Sequence, residues 1–304
     1  MVDEALIEKI EEWKQKRDAV VLAHNYQIGE IQNLADYTGD SLGLSIEASK
    51  TAAQVIVFCG VRFMAETAAI ICPDKHVLIP DEHAGCPMAN MITVRQLRDL
   101  KDEHPGARVV CYMNSTAAIK AESDICCTSS NAVRVVESLP EDAPIIFVPD
   151  RSLGRYVSEQ SGRDMILWDG YCPTHHRILA RDVAAMKEKH PQAEVMVHPE
   201  CTEDVVALAD QVLSTGGMRR YARETEAQEL IVGTEIGLLH SLRKDNPDKN
   251  FYPASELADC PNMKLNTVEK ILWALEDMVY EVHVPKDVRV RAGEAVQRML
   301  DLED

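Results

Sequence analysis

The sequence lacks the features that would place it in a membrane, outside the cell or on nucleic acid. No apolar run in its 304 residues approaches the roughly 20 residues of a membrane-spanning helix. Residues 1–18 form a charged amphipathic segment rather than a signal or transit peptide, so we expect a cytoplasmic protein with reduced thiols. The formal net charge of −18 disfavours a nucleic-acid partner, because phosphates require a basic surface.

Apart from Cys72, three of the nine cysteines stand directly before proline: Cys86, Cys172 and Cys260. They are separated by 86 and 88 residues, a regularity that scattered packing thiols would not show. A chain built from three copies of one unit explains it if each copy delivers one thiolate to a shared centre. No fourth Cys or His completes a zinc-finger spacing, which disfavours a closed structural zinc site. The three thiolates therefore predict a metal or iron–sulfur centre with one coordination position left open.

The same period recurs away from cysteine, as an internal repeat requires. Apolar runs that end in polar residues begin at Ala19, Ala107 and Ala193. Small hydroxyl residues follow near predicted helix starts at Ser41, Ser129 and Thr215. Both sets are spaced by 88 and 86 residues. The chain is therefore predicted to contain three α/β repeats, at residues 1–88, 89–174 and 175–304, the last with added C-terminal helices.

Within each repeat, apolar segments alternate with helical patterns. In the first repeat the pattern predicts strands at 19–25, 54–59 and 76–80 and helices at 30–37, 41–51 and 62–71. Strands that are apolar throughout are typical of parallel sheets covered on both faces. We therefore expect an α/β fold of three pseudo-threefold-related α/β/α units, with the active site at their common interface. In such sheets, ligands bind beyond the carboxyl ends of the strands.

Polar side chains cluster where these strands end. The candidates for acid–base chemistry are His24, Tyr26, Tyr112, His198 and Glu200, with His175 three residues after Cys172. A lone histidine is more often structural, but this set at the ligand-binding end of parallel strands favours proton transfer. A single Ser41, Ser129 or Thr215 would be a helix cap. Together, the three predict an anion site for a phosphate or carboxylate.

Ten segments of the chain, in order, resemble those of one enzyme family. They are AHNYQ, GDSL, FCGVRFMAETA, AGCPMA, YMNS, TSSN, GYCPTH, HPEC, STGGM and DCPNMKLNTVEKI. From about residue 19 to 280 the chain is similar to the quinolinate synthases, the NadA family. The resemblance implies condensation of iminoaspartate with dihydroxyacetone phosphate to quinolinate, and a [4Fe-4S] cluster on Cys86, Cys172 and Cys260.

The resemblance also implies roles for individual residues. Substrate contacts fall on His24, Ser41, Tyr112, Asn114, Ser129, His175, His198, Glu200 and Thr215. Tyr26, Tyr112, His198 and Glu200 are the candidate catalytic residues. An oxidase or dehydrogenase that produces iminoaspartate is the implied functional partner.

Two other classes stay open on the sequence alone. One is a different hydro-lyase with the same open cluster, and the other is a non-catalytic iron–sulfur sensor. We interpret the remaining cysteines as packing residues: Cys59, Cys72, Cys111, Cys126, Cys127 and Cys201.

Overall fold

The computed structural model describes residues 4–302 and contains three four-stranded sheets in that range. Every strand pairing within them is parallel. Helices lie before and between the strands of each sheet. The α/β class and the all-parallel sheets predicted from the sequence are therefore confirmed.

The first sheet has the strand order β2-β1-β3-β4. Its strands are β1 (Ala19–His24), β2 (Tyr37–Gly39), β3 (Val55–Cys59) and β4 (His76–Leu78). The helices in this part of the chain are α1 (Glu4–Arg17), α2 (Gly29–Leu34), α3 (Ser41–Lys50) and α4 (Arg62–Ile71). Helix α1 is the amphipathic segment predicted at residues 1–18, of which residues 1–3 lie outside the described residues.

The second sheet has the equivalent order β6-β5-β7-β8. Its strands are β5 (Arg108–Tyr112), β6 (Ile125–Cys127), β7 (Ile145–Val148) and β8 (Ile166–Leu167). The helices are α5 (Val94–Glu103), α6 (Ala117–Lys120), α7 (Ala132–Glu137) and α8 (Arg151–Ser161).

The third sheet again has this order, β10-β9-β11-β12. Its strands are β9 (Glu194–Val197), β10 (Gln211–Val212), β11 (Glu229–Gly233) and β12 (Asn250–Pro253). The helices are α9 (Ala180–Lys189), α10 (Glu203–Val206), α11 (Thr215–Glu224) and α12 (Leu238–Asp245), followed by α13 (Val268–Asp277) and α14 (Lys286–Leu300). None of the helices in residues 4–302 is both long and apolar enough to cross a membrane.

One carboxylate contact recurs in all three sheets. The Oδ2 atoms of Asp36, Asp124 and Asp210 accept the backbone N–H of Val21, Val109 and Val195, each at 2.8 Å. Each aspartate lies just before the edge strand, and each valine lies in the neighbouring central strand. Because these residues keep the 88- and 86-residue spacing of Ser41, Ser129 and Thr215, the contact supports triplication independently of any thiol.

The chain forms two compact units. The first comprises the chain up to Cys86 together with Cys260–Val284, and so contains the first sheet and α13. Ile10, Val57 and Ile271 lie in its hydrophobic core, so α1 and α13 pack on the sheet. The second unit comprises Pro87–Asp259 and the chain from Pro285 onward, with the other two sheets and α14.

Two of the predicted helix boundaries are wrong. The helix expected over 30–37 ends at Leu34, because Tyr37–Gly39 pairs with β1 as the edge strand β2. The helix expected to begin at Ser129 begins at Ala132, with Asn131 as the N-cap residue. Asn131 Oδ1 accepts the Thr128 N–H at 2.7 Å, and this turn holds Ser129 outside the helix.

Acid should weaken the attachment of α14 in the second unit. Arg98 Nη2 and Arg291 Nη1 donate to Glu122 Oε1 at 2.6 and 2.9 Å. Chiefly through the Arg98 hydrogen bond, and despite partial burial, the pKa of Glu122 is lowered to about 2 from 4.5. A depressed carboxyl pKa contributes stability that is present above pH 4.5 and is lost as the pH falls toward about 2.

We therefore expect Glu122→Gln to lower the free energy of unfolding at pH 7 by about 1–2 kcal/mol, discounted because both arginines are partly exposed. The difference from wild type should shrink between about pH 5 and pH 2, as measured by urea unfolding. Glu294→Gln, which removes an exposed pair with Arg298 on the same helix, is the control and should change little. A difference that stays constant with pH would contradict the assignment.

Candidate functional site

The structure divides the nine cysteines into two groups. Cys86, Cys172 and Cys260 are partly exposed, whereas the other six are buried. A short 3-10 helix follows each of the three partly exposed cysteines: Met88–Asn90, His175–Arg177 and Met263–Leu265. Burial raises the pKa of Cys127 well above its usual range, as expected for a packing thiol. Only the three regularly spaced cysteines, Cys86, Cys172 and Cys260, are therefore accessible in the way a metal ligand requires.

In the first compact unit, His24 is the last residue of β1 and Tyr26 lies just beyond it, and both are almost completely buried. Their rings meet edge to face, with centroids 4.6 Å apart. The Tyr26 backbone N–H donates to His24 Nδ1 at 3.2 Å. Because Nδ1 accepts this bond, the neutral imidazole of His24 carries its proton on Nε2.

In the second unit, Glu200 is the centre of a buried polar cluster. Tyr112 Oη and Asn114 Nδ2 donate to Glu200 Oε1 at 2.6 and 3.0 Å. His175 Nδ1 lies 2.8 Å from Glu200 Oε2. Tyr112 ends strand β5 of the second sheet and Asn114 follows it, and Glu200 follows β9 of the third sheet. The carboxyl ends of strands from two repeats therefore meet at this carboxylate.

The cluster keeps Glu200 ionised. Burial on its own raises the pKa of this carboxyl. His175, His198 and the Tyr112 hydroxyl together lower it by more than burial raises it, so the net pKa lies well below its ordinary value. The pKa of Asp150, which is also buried in this unit, shifts in the opposite direction. Burial and the negative charge of Glu200 raise its pKa well above the usual range. Neighbouring carboxyls with opposed pKa values are typical of sites that move protons.

His175 connects this cluster to a candidate metal ligand. Its Nδ1 lies 3.1 Å from Cys172 Sγ as well as close to Glu200. Donor atoms of Cys172, His175 and Glu200 all lie within 4.8 Å of one another. Glu200 and His175 already bond to other protein groups, which leaves the partly exposed Cys172 thiol as the best-suited ligand of this group.

Thr234 is a site residue that the sequence did not single out. Its Oγ1 lies 2.9 Å from His175 Nε2, and both side chains are buried. Because the Glu200 carboxylate only accepts, His175 carries a proton on Nδ1, and the Thr234 hydroxyl is the hydrogen-bond partner of Nε2. Thr234 directly follows β11, so its position at a strand's carboxyl end was the available signal.

His198 repeats the arrangement of His24. Its Nδ1 accepts the backbone N–H of Glu200 at 3.3 Å, as His24 Nδ1 accepts that of Tyr26. The ring stacks on His175, with centroids 4.8 Å apart. The neutral ring therefore carries its proton on Nε2, which lies 3.1 Å from Ser129 Oγ.

The helix-cap alternative for the hydroxyl residues does not hold. Ser41 and Thr215 are the first residues of α3 and α11, but the caps are the residues before them. Asp40 Oδ1 accepts the Gly43 N–H at 2.8 Å, and Ser214 Oγ accepts the Gly217 N–H at 3.1 Å. With Ser129 outside its helix, none of the three predicted hydroxyls acts as a cap.

One buried acceptor in the cluster has no protein partner. Among residues 4–302, Asn114 Oδ1 is buried without a hydrogen bond, although Asn114 Nδ2 is bonded to Glu200. An unsatisfied buried carbonyl costs about 1–3 kcal/mol unless a ligand or water donates to it. Asn114 Oδ1 is therefore positioned to accept an N–H or O–H from a bound molecule.

The comparisons with known proteins cover nearly the whole chain. Residues 8–301 match the family model described as NadA, quinolinate synthetase A protein. The chain is 57% identical over 300 residues to a quinolinate synthase of Dehalococcoides mccartyi (strain CBDB1), covering 99% of both chains. It is 56% identical over 295 residues to that of Methanosarcina barkeri, covering 97% of both. For that of Geobacter metallireducens the identity is 55% over 300 residues, covering 99% of this chain and 98% of the relative.

Proposed function

The chain belongs to the quinolinate synthetase A (NadA) family, and on that premise we propose that it condenses iminoaspartate with dihydroxyacetone phosphate. The products are quinolinate, inorganic phosphate and two water molecules, and quinolinate is used in NAD biosynthesis. The resemblance of the ten segments implies the same reaction, and the relatives carry the name quinolinate synthase.

The observation that carries the proposal is the ionised, buried Glu200. It accepts hydrogen bonds from Tyr112 and Asn114 and lies beside His175 and the Cys172 thiol. Forming an aromatic ring by condensation requires repeated removal of protons from carbon and loss of hydroxyl groups. A carboxylate held as a base beside a Tyr hydroxyl supplies the groups for such transfers.

We assign Cys86, Cys172 and Cys260 as the ligands of a [4Fe-4S] cluster. Their accessibility, their regular spacing and their all-thiolate chemistry fit such a group. When bound, a cluster with three protein ligands supplies one iron as a Lewis acid. The remaining chemistry belongs to side chains of this protein.

We assign Ser41, Ser129 and Thr215 to the phosphate group of the triose. Ser41 and Thr215 open ten-residue helices whose caps are supplied by other residues, so hydroxyl and backbone N–H can face an anion. The Ser129 hydroxyl oxygen accepts a hydrogen bond from His198 Nε2. The hydroxyl proton of Ser129 therefore points away from the ring.

The amine or hydroxyl groups of substrate are assigned to the buried acceptor Asn114 Oδ1. His24 and Tyr112 bind the substrates from the ends of their strands. Both ring nitrogens of His175 are engaged by protein groups, so its contact with substrate is through the edge or face of the ring. Because its Nδ1 lies 2.8 Å from Glu200 Oε2, His175 also orients the Glu200 carboxylate.

Proton transfer is assigned to Tyr26, Tyr112, His198 and Glu200. Glu200 is assigned as a proton acceptor because its lowered pKa keeps the carboxylate ionised at neutral pH. The Tyr112 hydroxyl, which donates to Glu200 at 2.6 Å, can pass a proton to the carboxylate or receive one from it. His198 and Ser129 form a second donor pair at 3.1 Å. Tyr26 lies against His24 in the first unit.

The same proposal includes a cytoplasmic location and a functional link to an oxidase or dehydrogenase. Iminoaspartate contains an imine that hydrolyses in water, so an enzyme that oxidises aspartate must supply it close in time and space.

The test is an anaerobic assay of the purified, cluster-loaded protein with both substrates. We expect quinolinate, identified by mass spectrometry, and inorganic phosphate to appear in equal amounts. A reaction with a hydroxy acid but not with iminoaspartate would instead identify a different hydro-lyase. Tight binding of small molecules without any turnover would identify a sensor.

Ser129→Ala should weaken the use of the triose phosphate. Losing one hydrogen bond to a charged group costs roughly 1.5–3 kcal/mol, which corresponds to about 10- to 150-fold in kcat/KM for dihydroxyacetone phosphate. Steady-state kinetics at saturating iminoaspartate measure this change. Ser130→Ala, at the neighbouring hydroxyl, is the control and should stay close to wild type. An unchanged response to triose phosphate in Ser129→Ala would remove Ser129 from the anion site.

Thr234→Val should lower kcat about tenfold with a smaller effect on KM, because His175 loses the hydrogen-bond partner at Nε2 that orients it toward Glu200. Thr234→Ser keeps the hydroxyl and should retain most of the wild-type rate. Equal rates for the valine and serine variants would show that only the shape of Thr234 matters.

A further inference from the structure

Cys86 and Cys260 are far apart in the sequence, but both belong to the first compact unit. Each lies in a loop, and no regular strand or helix contains either residue. Two thiols on separate loops keep a fixed geometry only if something ties the loops together. Asp81, in the loop before Cys86, and Lys270, in the helix after Cys260, supply such a connection.

The loop before Cys86 is a tight turn built on Asp81. Asp81 Oδ1 accepts the His83 N–H at 2.7 Å, and the Asp81 carbonyl accepts the Ala84 N–H at 3.2 Å. The Ala84 carbonyl in turn accepts the Arg62 N–H at 2.7 Å, at the start of α4. Asp81 is 9% exposed, and Ala84 is completely buried.

The loop after Cys260 ends at the same edge of the first sheet. Asn266 is completely buried, and its Nδ2 donates to the Gly60 carbonyl at 2.8 Å, directly after β3. Lys264 Nζ donates to the Tyr26 carbonyl at 2.5 Å. These contacts attach the Cys260 loop to the ends of β1 and β3.

Lys270, in the first turn of α13, contacts both loops with one ammonium group. Its Nζ lies 2.5 Å from Asp81 Oδ2 and 2.8 Å from the Leu265 carbonyl, at the end of the 3-10 helix that follows Cys260. Burial on its own raises the pKa of Asp81, but Lys270 and the His83 N–H lower it by more, so the pair is charged.

We propose that Asp81 and Lys270 form a clamp that holds the Cys86 and Cys260 loops together, which makes both of them positioning residues for two cluster thiolates. The inference rests on the proposed function only where it assigns Cys86 and Cys260 to the cluster. The corresponding pair does not recur beside the other two cysteines, because the residue ten positions after the cysteine is Gln96 for Cys86 and Asp182 for Cys172. The clamp is therefore specific to the unit that carries two of the three thiols.

The first measurement is the release of iron from the anaerobic, cluster-loaded protein to a ferrous chelator. Lys270→Met should release iron about tenfold faster, the size expected when a partly buried, hydrogen-bonded charge pair is lost. Asp81→Asn should accelerate release in the same direction, and Lys270→Arg should restore a rate within about twofold of wild type.

Lys14→Met is the matched control in the same unit. Lys14 is 8% exposed and pairs with Asp36 at 2.8 Å, but Asp36 binds the Val21 N–H, away from the loops that carry the cysteines. This variant loses a comparable buried pair and should release iron at the wild-type rate. Wild-type release from Lys270→Met and Asp81→Asn, or equal acceleration in Lys14→Met, would overturn the clamp.

The second measurement does not depend on the cluster. After iron removal, alkylation by iodoacetamide is followed for each thiol by mass spectrometry, with Cys172 as the internal reference. Cys86 and Cys260 should react about fivefold faster in Lys270→Met, while Cys172 is unchanged. Equal acceleration of all three thiols would indicate general destabilisation and would overturn the proposal. If Lys270→Met does not fold, Asp81→Asn gives the same comparison. A wild-type protein that takes up no cluster would refute the cofactor assignment, whereas the alkylation pattern still decides the clamp.

Discussion

Replacing Cys86, Cys172 or Cys260 with alanine is expected to abolish both the bound cluster and quinolinate formation. Each thiolate is proposed to hold a different iron of one cluster, so the loss of one ligand exposes that iron to solvent. Anaerobic absorption and EPR spectra, together with iron analysis, measure the cluster, and the quinolinate assay measures its consequence. The expected effect on activity is a fall to background in all three variants.

Cys59→Ala and Cys127→Ala provide matched controls. Both thiols are completely buried in strands, Cys59 in β3 and Cys127 in β6. These variants should keep the cluster and lose only packing stability, roughly 1 kcal/mol for each small cavity. An intact cluster in any of the three ligand variants would contradict the assignment, as would cluster loss in both controls.

Glu200→Gln is expected to fold, keep its cluster and lose turnover by about 100-fold or more, the usual scale for removing a general base. Glutamine preserves the size of the side chain, but its amide cannot accept a proton at neutral pH. Its Nε2 would also face His175 Nδ1 or Tyr112 Oη, where Glu200 now accepts hydrogen bonds. Substrate should still bind, so a partly condensed intermediate should accumulate and be detectable by mass spectrometry.

Tyr26→Phe is the companion variant, because Tyr26 occupies the equivalent position at the end of β1. It should show a loss of similar size while keeping the edge-to-face contact with His24. Tyr37→Phe, at an exposed tyrosine of the same unit, is the control and should be fully active. Near-normal turnover in both Glu200→Gln and Tyr26→Phe would exclude these residues and direct attention to His24, Tyr112 and His198.

Much of the fold could be predicted because the strands are buried throughout and the repeat is regular. The helix expected at 62–71 matches α4 to the residue. The strand expected at 54–59 matches β3 to within one residue. The apolar run of the strand stops at Gly60, and the helical pattern stops shortly before Pro73.

The errors lie where the local pattern is short. Strand β2 has three residues, and Tyr37 is exposed at the sheet edge, so no apolar run marks it. Its position is fixed by Asp36, whose carboxylate binds β1, and by backbone pairing with the same strand. Such contacts depend on tertiary structure, which a local pattern does not contain.

The candidate site shows the same division. The clustering of Tyr112, His198 and Glu200 could be predicted, because all three lie at or just beyond the ends of central strands and the ends of parallel strands share one edge. Thr234 has the same strand-end signal, but its contact with His175, 59 positions away, could not be predicted. Nor could the contact of Lys270 with Asp81, 189 positions away. The protonation states of Glu200 and Asp150 likewise depend on burial and on neighbours from other elements.

The central claim is that three regularly spaced cysteines hold one iron–sulfur cluster with an open iron. Mössbauer spectroscopy of the anaerobically purified, ⁵⁷Fe-enriched protein tests it most directly, with and without substrate. We predict about four irons per chain in one cluster, with one iron site whose parameters change when substrate is added, because that iron has no protein thiolate. A cluster whose irons all respond identically, or a protein that binds a single mononuclear metal, would contradict the account.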